Sequence, residues 1–538
     1  MSISGDKWLW WKDGVIYQIY PRSFYDSNGD GIGDIRGIIE KIDYLEYLGI
    51  DAVWLSPINR SPMDDFGYDI KDYRRIESIF GTEADFDELI KKFHAKKIKI
   101  IFDLVMNHTS SSHLWFVESR SSKTNPKRDW YIWQKARLGK YPNNWRAAFG
   151  GRAWEYDKIT GEYYLHSFLK QQPDINWRNK ELRNAVFDDI KFWLDRGIDG
   201  FRLDVVNWFI KDEKLRNNPY TIGYSPRIYD MQNHIYDRNR PETHDVLKDF
   251  RKLLDNYPER MSVGEVFSPP PGNPRLSAEF LGNGKDQLDM AFDFSLMYTK
   301  WNAKEFYKKI STWLELIPSD GWPCHVLSNH DQPRQASRFY KKNYTDERCC
   351  ILAVLLLTLK GTPFVYYGEE IGMRDGKISR SKLRDPLGKK YWPFFKGRDP
   401  ERTPMQWENS DNAGFTSGVP WLPVNSDYWK RNVHKQIEDK NSILNLYRFL
   451  ILLRRKEYNL RRGSIVFVET GEAGILSYMR GCEFEIALNF DNRIKQYFPQ
   501  GHGAEIVYST EKFSKVTELK ILQPYEAVIL RHNQQRNS

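Results

Sequence analysis

The sequence predicts an α/β protein: a (β/α)8 TIM barrel with a subdomain inserted after the third strand and a C-terminal β-sandwich domain. Three observations carry this. Strand-length apolar runs recur with helical patterns between them, the mark of parallel βα units. The stretch 105–174, rich in Trp, Asn, Ser and Gly, breaks that rhythm, and so long a connection is usually functional. From Gly463 onward the pattern becomes short alternating segments, as a small sandwich requires. The barrel is therefore assigned 1–104 and 175–462, the inserted subdomain 105–174 and the C-terminal domain 463–538.

In chain order, the first strand is 14–20, and Ile38, Ile39, Ile42, Leu45 and Leu48 then make one apolar helix face. The second strand, 52–55, precedes a helix burying Phe86, Leu89, Ile90 and Phe93. The third is 98–104, and after the insertion a helix spans 182–194. Strand four is the stretch Gly200-Phe-Arg-Leu that runs into Asp204. Strands five to eight are 261–264, 288–292, 325–327 and 363–366. A long loop, 368–428, and a last helix ending near Lys456 complete the barrel. Segments 465–468, 475–479, 485–488 and 527–530 supply the sandwich.

Composition excludes several classes of function. Hydrophobic residues at 40% and a mean hydropathy of -0.66 describe a soluble chain, and the longest apolar run, 351–359, is far short of the roughly 20 residues a spanning helix needs. The net charge of +9 is spread among 72 acids, so no nucleic-acid arm stands out. The densest basic patch, 91–99, has helical spacing and reads as a solvated face. Asp6, Lys7, Lys12 and Asp13 interrupt any leader-like segment. Cys324, Cys349, Cys350 and Cys482 have neither disulfide nor metal spacing. A cytoplasmic protein, expected to be a monomer with no membrane or nucleic-acid partner, follows.

Three strands end in an acid: Asp204, Glu265 and Asp331. In a parallel barrel all strand carboxyl ends open on one face, so these acids converge on one pocket. Paired carboxylates with no redox-active group suit glycoside transfer, where one attacks the anomeric carbon and the other serves as acid and then base. Such a pair in a retaining enzyme stands about 5 to 5.5 Å apart. Arg202, two residues before Asp204 on the same strand face, is expected to depress its pKa. Glu265, flanked by Val266 and Phe267, is expected to be raised by its apolar neighbours. Asp26, Asn28, Asp30 and Asp34 place oxygens at alternate positions with glycines between, which suits a hard cation such as calcium or a bare turn held by its own hydrogen bonds. The twelfth position of that loop is Gly37, so it is no EF-hand.

The stretches Asp103 to His108, Gly200 to Asp204, Gly264-Glu265 and Ser328 to Asp331 resemble, in order and spacing, the four signature regions of glycoside hydrolase family 13, the α-amylase family. The stretches 13–22, 61–69, 149–154 and 402–407 resemble its α-glucosidase and oligo-1,6-glucosidase branch. The likeness implies Asp204 as nucleophile, Glu265 as general acid/base and Asp331 as the acid that holds the sugar's hydroxyls. It implies His108 and His330 as a pair bonding the glucose, Asp65 and Arg402 as a clamp on its non-reducing end, Tyr68 beneath the ring and Phe149 and Phe168 lining it. It also implies a structural calcium ion with Ile32 offering its carbonyl, and no catalytic cofactor. Valine at 205, just after the nucleophile, goes in that branch with α-1,6 substrates. Met63 stands where these enzymes often have Asn, and the loop 374–398 resembles α-1,4 or transglucosylating members at least as well. The resemblance thus implies a retaining exo-acting α-glucosidase on short oligosaccharides, α-1,6 preferred, with an α-1,4-glucosidase or a sucrose isomerase or transglucosylase as the alternative.

Overall fold

The computed structural model describes residues 7–137, 140–223, 225, 227–268, 271–500, 504–510 and 521–532. Eight parallel strands, β1 (Ile16–Ile19), β2 (Ala52–Leu55), β3 (Lys99–Leu104), β4 (Gly200–Leu203), β5 (Met261–Gly264), β6 (Met290–Ala291), β7 (Cys324–Val326) and β8 (Thr362–Tyr366), follow one another around a barrel. β1 pairs with both β2 and β8. β6 and β7 stand at the two ends of the ladder order, and there the Cys324 thiol reaches the Ala291 carbonyl at 3.3 Å.

Strand side chains alternate between two cores, as a period of two dictates. Ile16, Ala52, Trp54, Ile101, Met261, Val263 and Phe364 fill one cluster inside the barrel. Their neighbours Tyr17, Val53, Leu55, Ile100 and Phe102 join the larger core with the surrounding helices.

The helix foreseen over Ile38 to Leu48 is two, α1 (Ile35–Glu40) and α2 (Ile42–Leu48), because Lys41 leaves helical geometry at φ -100°, ψ 9°. The remaining long helices are α3 (Glu83–Ala95), α4 (Lys180–Arg196), α5 (Thr243–Leu254), α6 (Ala303–Leu316), α7 (Thr345–Thr358) and α8 (Ile443–Lys456). Sequence explains their ends. Thr82 and Asp85 form a reciprocal capping box on α3. Asn179 caps the start of α4, and Gly197, at φ 109°, ends it. Among the described residues no helix is long and apolar enough to cross a membrane.

Between β3 and α4 the chain forms a three-stranded antiparallel sheet from Trp133–Gln134, Trp154–Asp157 and Glu162–Leu165. Beyond α8, strands β9 (Ile465–Val468), β10 (Ile475–Arg480), β11 (Phe484–Asn489), β12 (Glu505–Ser509) and β13 (Ala527–Arg531) form an antiparallel sheet in the order β9-β10-β11-β13-β12. A two-stranded ladder, Lys495–Gln496 with Ile521–Leu522, accompanies it. The strand β12 is absent from the sequence-based expectation.

Two buried guanidiniums converge on the end of α7, one from the last barrel helix and one from this sheet. Arg454, on α8, donates to the carbonyls of Leu357, Leu359, Leu460 and Gly361. Arg480, on β10, donates to those of Thr358 and Gly463. A buried carbonyl stripped of its donor costs about 1 to 3 kcal/mol. Arg454→Met is therefore expected to destabilise the protein by at least about 3 kcal/mol, read as a lowered urea midpoint; an unchanged midpoint contradicts the role of Arg454 as donor to these carbonyls.

Candidate active site

Register places the first two acids. Arg202 pairs with Asp103 across β3 and β4, and Leu203 pairs with Gly264 across β4 and β5. Asp204 and Glu265 therefore leave neighbouring strands at one level. Glu265 N–H donates to the Leu203 carbonyl (2.9 Å) and Val206 N–H to that of Glu265 (3.0 Å). A Cβ on Gly264 would stand 2.4 Å from Leu288 Cδ1, so glycine lets that side chain pack against the strand.

One guanidinium joins the acids. Arg202, fully buried, sends Nη1 to Asp103 Oδ1 and Asp204 Oδ1, both at 2.8 Å, and Nη2 to Glu265 Oε2 at 2.5 Å. Trp54 Nε1 and Tyr68 Oη donate to the other oxygen of Asp103, each at 3.1 Å. Two carboxylates on the two arms of one planar fork favour the short spacing of a retaining pair.

Burial pushes the Glu265 carboxyl up, against the pull of Arg202, in the expected direction. Burial also pushes Asp204 well above the usual carboxylate range. This corrects the expectation that Arg202 would hold Asp204 low. Arg202 does pull it down, but Glu265 and Asp103 share that one cation, and the remaining negative charge is desolvated. Asp204 and Glu265 therefore hold a proton as a pair.

Asp331 is held differently. Burial opposes its ionisation, yet the charges around it, those of Arg398, Arg402 and Arg202 among them, outweigh it and keep the carboxyl well below the usual range. Arg402 Nη2 lies 2.6 Å and Arg398 Nη1 3.2 Å from Asp331 Oδ1. Arg398 Nη2 also bonds Asp65 Oδ1 and Asp385 Oδ1, each at 2.7 Å. Asp65 and Arg402, expected as a clamp on the glucose, are held by different partners: Arg398 holds Asp65, and Arg402 stands behind Asp331, bound to it and to the His330 carbonyl at 2.7 Å.

The two histidines also divide. His108 faces the cavity, its Nε2 within 3.0 Å of the Tyr68 carbonyl and 3.1 Å of Gln172 Nε2, and burial lowers its pKa to about 4. His330 is completely buried. Its nitrogens meet Gln18 Nε2 at 2.8 Å and Tyr68 Oη at 2.5 Å, and its ring lies parallel to that of Tyr68. It supports Tyr68 and Asp331 from behind instead of facing the cavity beside His108.

The cavity measures about 930 Å³. Asp65, Tyr68, His108, Asp204, Glu265, Asp331 and Arg398 line it together with Phe149, Phe168 and Val205. Val205 sits at φ 37°, ψ 51°, a region a β-branched residue avoids. Arg398, Asp103, Gln172 and Trp208 were missed by sequence reasoning as site residues. Asp103 carried a signal, since it too is an acid at the end of a strand.

The 26–34 loop is wound on its own oxygens. Asp26 accepts from the amides of Asn28, Gly29 and Gly31, Asn28 from Asp30, Asp30 from Ile32, and Asp34 from Ser27 and Gly37. A carboxylate oxygen has more than one acceptor site, so these bonds are compatible with a cation. Among the described residues no three His, Cys, Asp or Glu side chains form a metal-holding group. A cation here would therefore rely on the amide oxygen of Asn28 and the Ile32 carbonyl as well as on acids.

The model of the alpha amylase catalytic domain matches residues 18–463. The chain is 42% identical to an oligo-1,6-glucosidase of Parageobacillus thermoglucosidasius over 96% of this chain and 98% of that one. It is 40% identical to a probable alpha-glucosidase of Rhizobium meliloti, over 96% and 92%. Among solved structures it is similar to the alpha-glucosyl transfer enzyme XgtA, with TM-score 0.92 and 39% identity over 98% and 100% of the two chains. The trehalulose synthase MutB of Pseudomonas mesoacidophila follows at TM-score 0.87 and 34% identity, over 98% and 100%. Strand-end acids, barrel and full-length likeness agree: this chain is a glycoside hydrolase and belongs to the α-amylase family.

Proposed function

We propose that the protein is a retaining, exo-acting α-glucosidase that removes terminal α-linked glucose from short oligosaccharides, with α-1,6 linkages preferred. The observation that carries this is the placement of Asp204 and Glu265 on one buried guanidinium in a cavity whose wall is the Asp65–Arg398 pair. Asp204 attacks C1, the glycosidic bond breaks, and Glu265 gives its proton to the leaving oxygen. Glu265 then takes a proton from water, whose oxygen displaces Asp204 from C1. Asp331, kept ionised by its two arginines, accepts hydrogen bonds from sugar hydroxyls, and His108 and Asp65 fix the same unit. The α-1,6 preference rests on Val205 at the cavity surface and on the similarity to oligo-1,6-glucosidases. The structural likeness to XgtA and MutB supports the second reading, in which the glucosyl group passes to another sugar hydroxyl or sucrose is isomerised. A monomer in a reducing cytoplasm accords with the buried, unbridged thiols of Cys324 and Cys349.

Incubating one preparation with isomaltose, maltose and sucrose and identifying the products tests the reading. Glucose released fastest from isomaltose is expected; isomerised sucrose as main product favours the alternative. Asp204→Asn is expected to abolish turnover with melting retained, and residual wild-type activity would remove Asp204 from its role.

The raised pKa of Glu265 fixes a sign for pH. The acid form is the active one, so kcat/KM falls as pH rises through that pKa. The alkaline limb is expected above the ordinary glutamate value of about 4.3. Glu265→Gln should remove this limb for an aryl glucoside, whose leaving group needs no proton. We also propose that the 26–34 loop binds calcium structurally; adding EDTA is expected to lower the melting temperature and calcium to restore it, whereas no change would leave the loop a bare turn.

A further inference from the structure

Arg238 is completely buried, and none of its three side-chain nitrogens has a hydrogen-bond partner among the described residues. Its guanidinium lies instead over aromatic rings, 4.6 Å from the centroid of Trp208, 5.6 Å from Tyr229 and 5.9 Å from Phe267. A buried cation is costly, and ring faces compensate only while they stay beneath it. Arg238 therefore dictates where Trp208 lies.

Trp208 in turn bears on the cavity. Its ring stacks on Phe168 with centroids 4.8 Å apart, and it shares a buried cluster with Val205 and Tyr229. Val205 holds its left-handed conformation only because its surroundings over-determine it. A second clasp joins the same two segments. Asn239 N–H donates to the Asn207 carbonyl at 2.8 Å, and Asn207 Nδ2 donates to Asn239 Oδ1 at 2.7 Å. The clasping segment is itself anchored, since His234 Nδ1 lies 2.6 Å from Asp237 Oδ2 and Nε2 lies 2.9 Å from the Tyr229 carbonyl.

We propose that Arg238 is a positioning residue that braces the turn 205–208 and thereby sets which glycosidic linkage the cavity accepts. The inference rests on the α-glucosidase reading. It assigns selectivity to a side chain outside the cavity, acting through Trp208 on Val205. Of the residues placed around the glucose, Phe168 alone stacks on Trp208, whereas the polar groups Asp65, His108, Asp331 and Arg398 are bonded elsewhere. Loosening the brace is expected to relax the valine turn and leave glucose binding as it is.

The test compares Arg238→Met, Arg238→Lys and Asn239→Gly with the wild type. Asn239 has φ 56°, which glycine adopts freely, so that variant folds even where Arg238→Met does not. The readout is the ratio of kcat/KM for isomaltose to that for maltose, with inhibition by glucose as control. The ratio is expected to move toward unity by about tenfold in Arg238→Met, the scale of one misplaced methyl contact. Asn239→Gly should move it the same way, and Arg238→Lys should partly restore it, while glucose inhibits all four alike. Folded variants with an unchanged ratio and only a lower melting temperature would overturn the inference. A wild type that hydrolyses neither sugar would instead overturn the reading on which it rests.

Discussion

The bond set of Arg202 is the constraint on which the site depends. A guanidinium withdrawn from water is tolerated only if its donors are met and its charge is balanced. Here the balance comes from Asp103, Asp204 and Glu265, each at the end of a different strand. The barrel must therefore close in a register that brings β3, β4 and β5 level, and the ladder does so by pairing Asp103 with Arg202 and Leu203 with Gly264. Trp54 and Tyr68 complete Asp103, and Tyr68 passes the arrangement on to His330 and Asp331.

Charge is left unbalanced in a useful sense. Arg202, Arg398 and Arg402 face Asp103, Asp204, Glu265, Asp331, Asp65 and Asp385. Burial drives His330 well below its usual pKa, so it adds no further cation. The excess of carboxyls makes the pair Asp204 and Glu265 retain a proton, which the leaving group needs. It also favours positive charge at the sugar ring, the charge an oxocarbenium-like transition state develops. Of the three strand-end acids, Asp331, next to two arginines, is the one spared from protonation.

Much of this was legible in the sequence, for reasons that differ by residue. Asp204, Glu265 and Asp331 could be read because a strand stopped by an acid is a local pattern, and the barrel turns that pattern into a shared location. The eight strands fell where alternation placed them, within a residue or two. Arg398 was not legible. It lies in a long loop after β8, where its amide and guanidinium donate to Asp385 and Asp399 accepts from the Arg384 and Asp385 amides, contacts between residues 13 to 15 apart that fold it back toward Asp65. Arg402 carried the motif, and Arg398, four residues earlier, carried none. The pKa of Asp204 was misread because a neighbouring arginine is visible in sequence, whereas its sharing among three buried acids is not. The break at Lys41 was hidden because the apolar spacing continues across it.

The claim that Arg202 draws Asp204 and Glu265 into the short spacing of a double displacement can be tested most directly by proton NMR of the first glucose released from an α-glucoside, before mutarotation. The account predicts that the α-anomer forms first. The β-anomer forming first would mean a single inverting displacement across a wider pair and would contradict it.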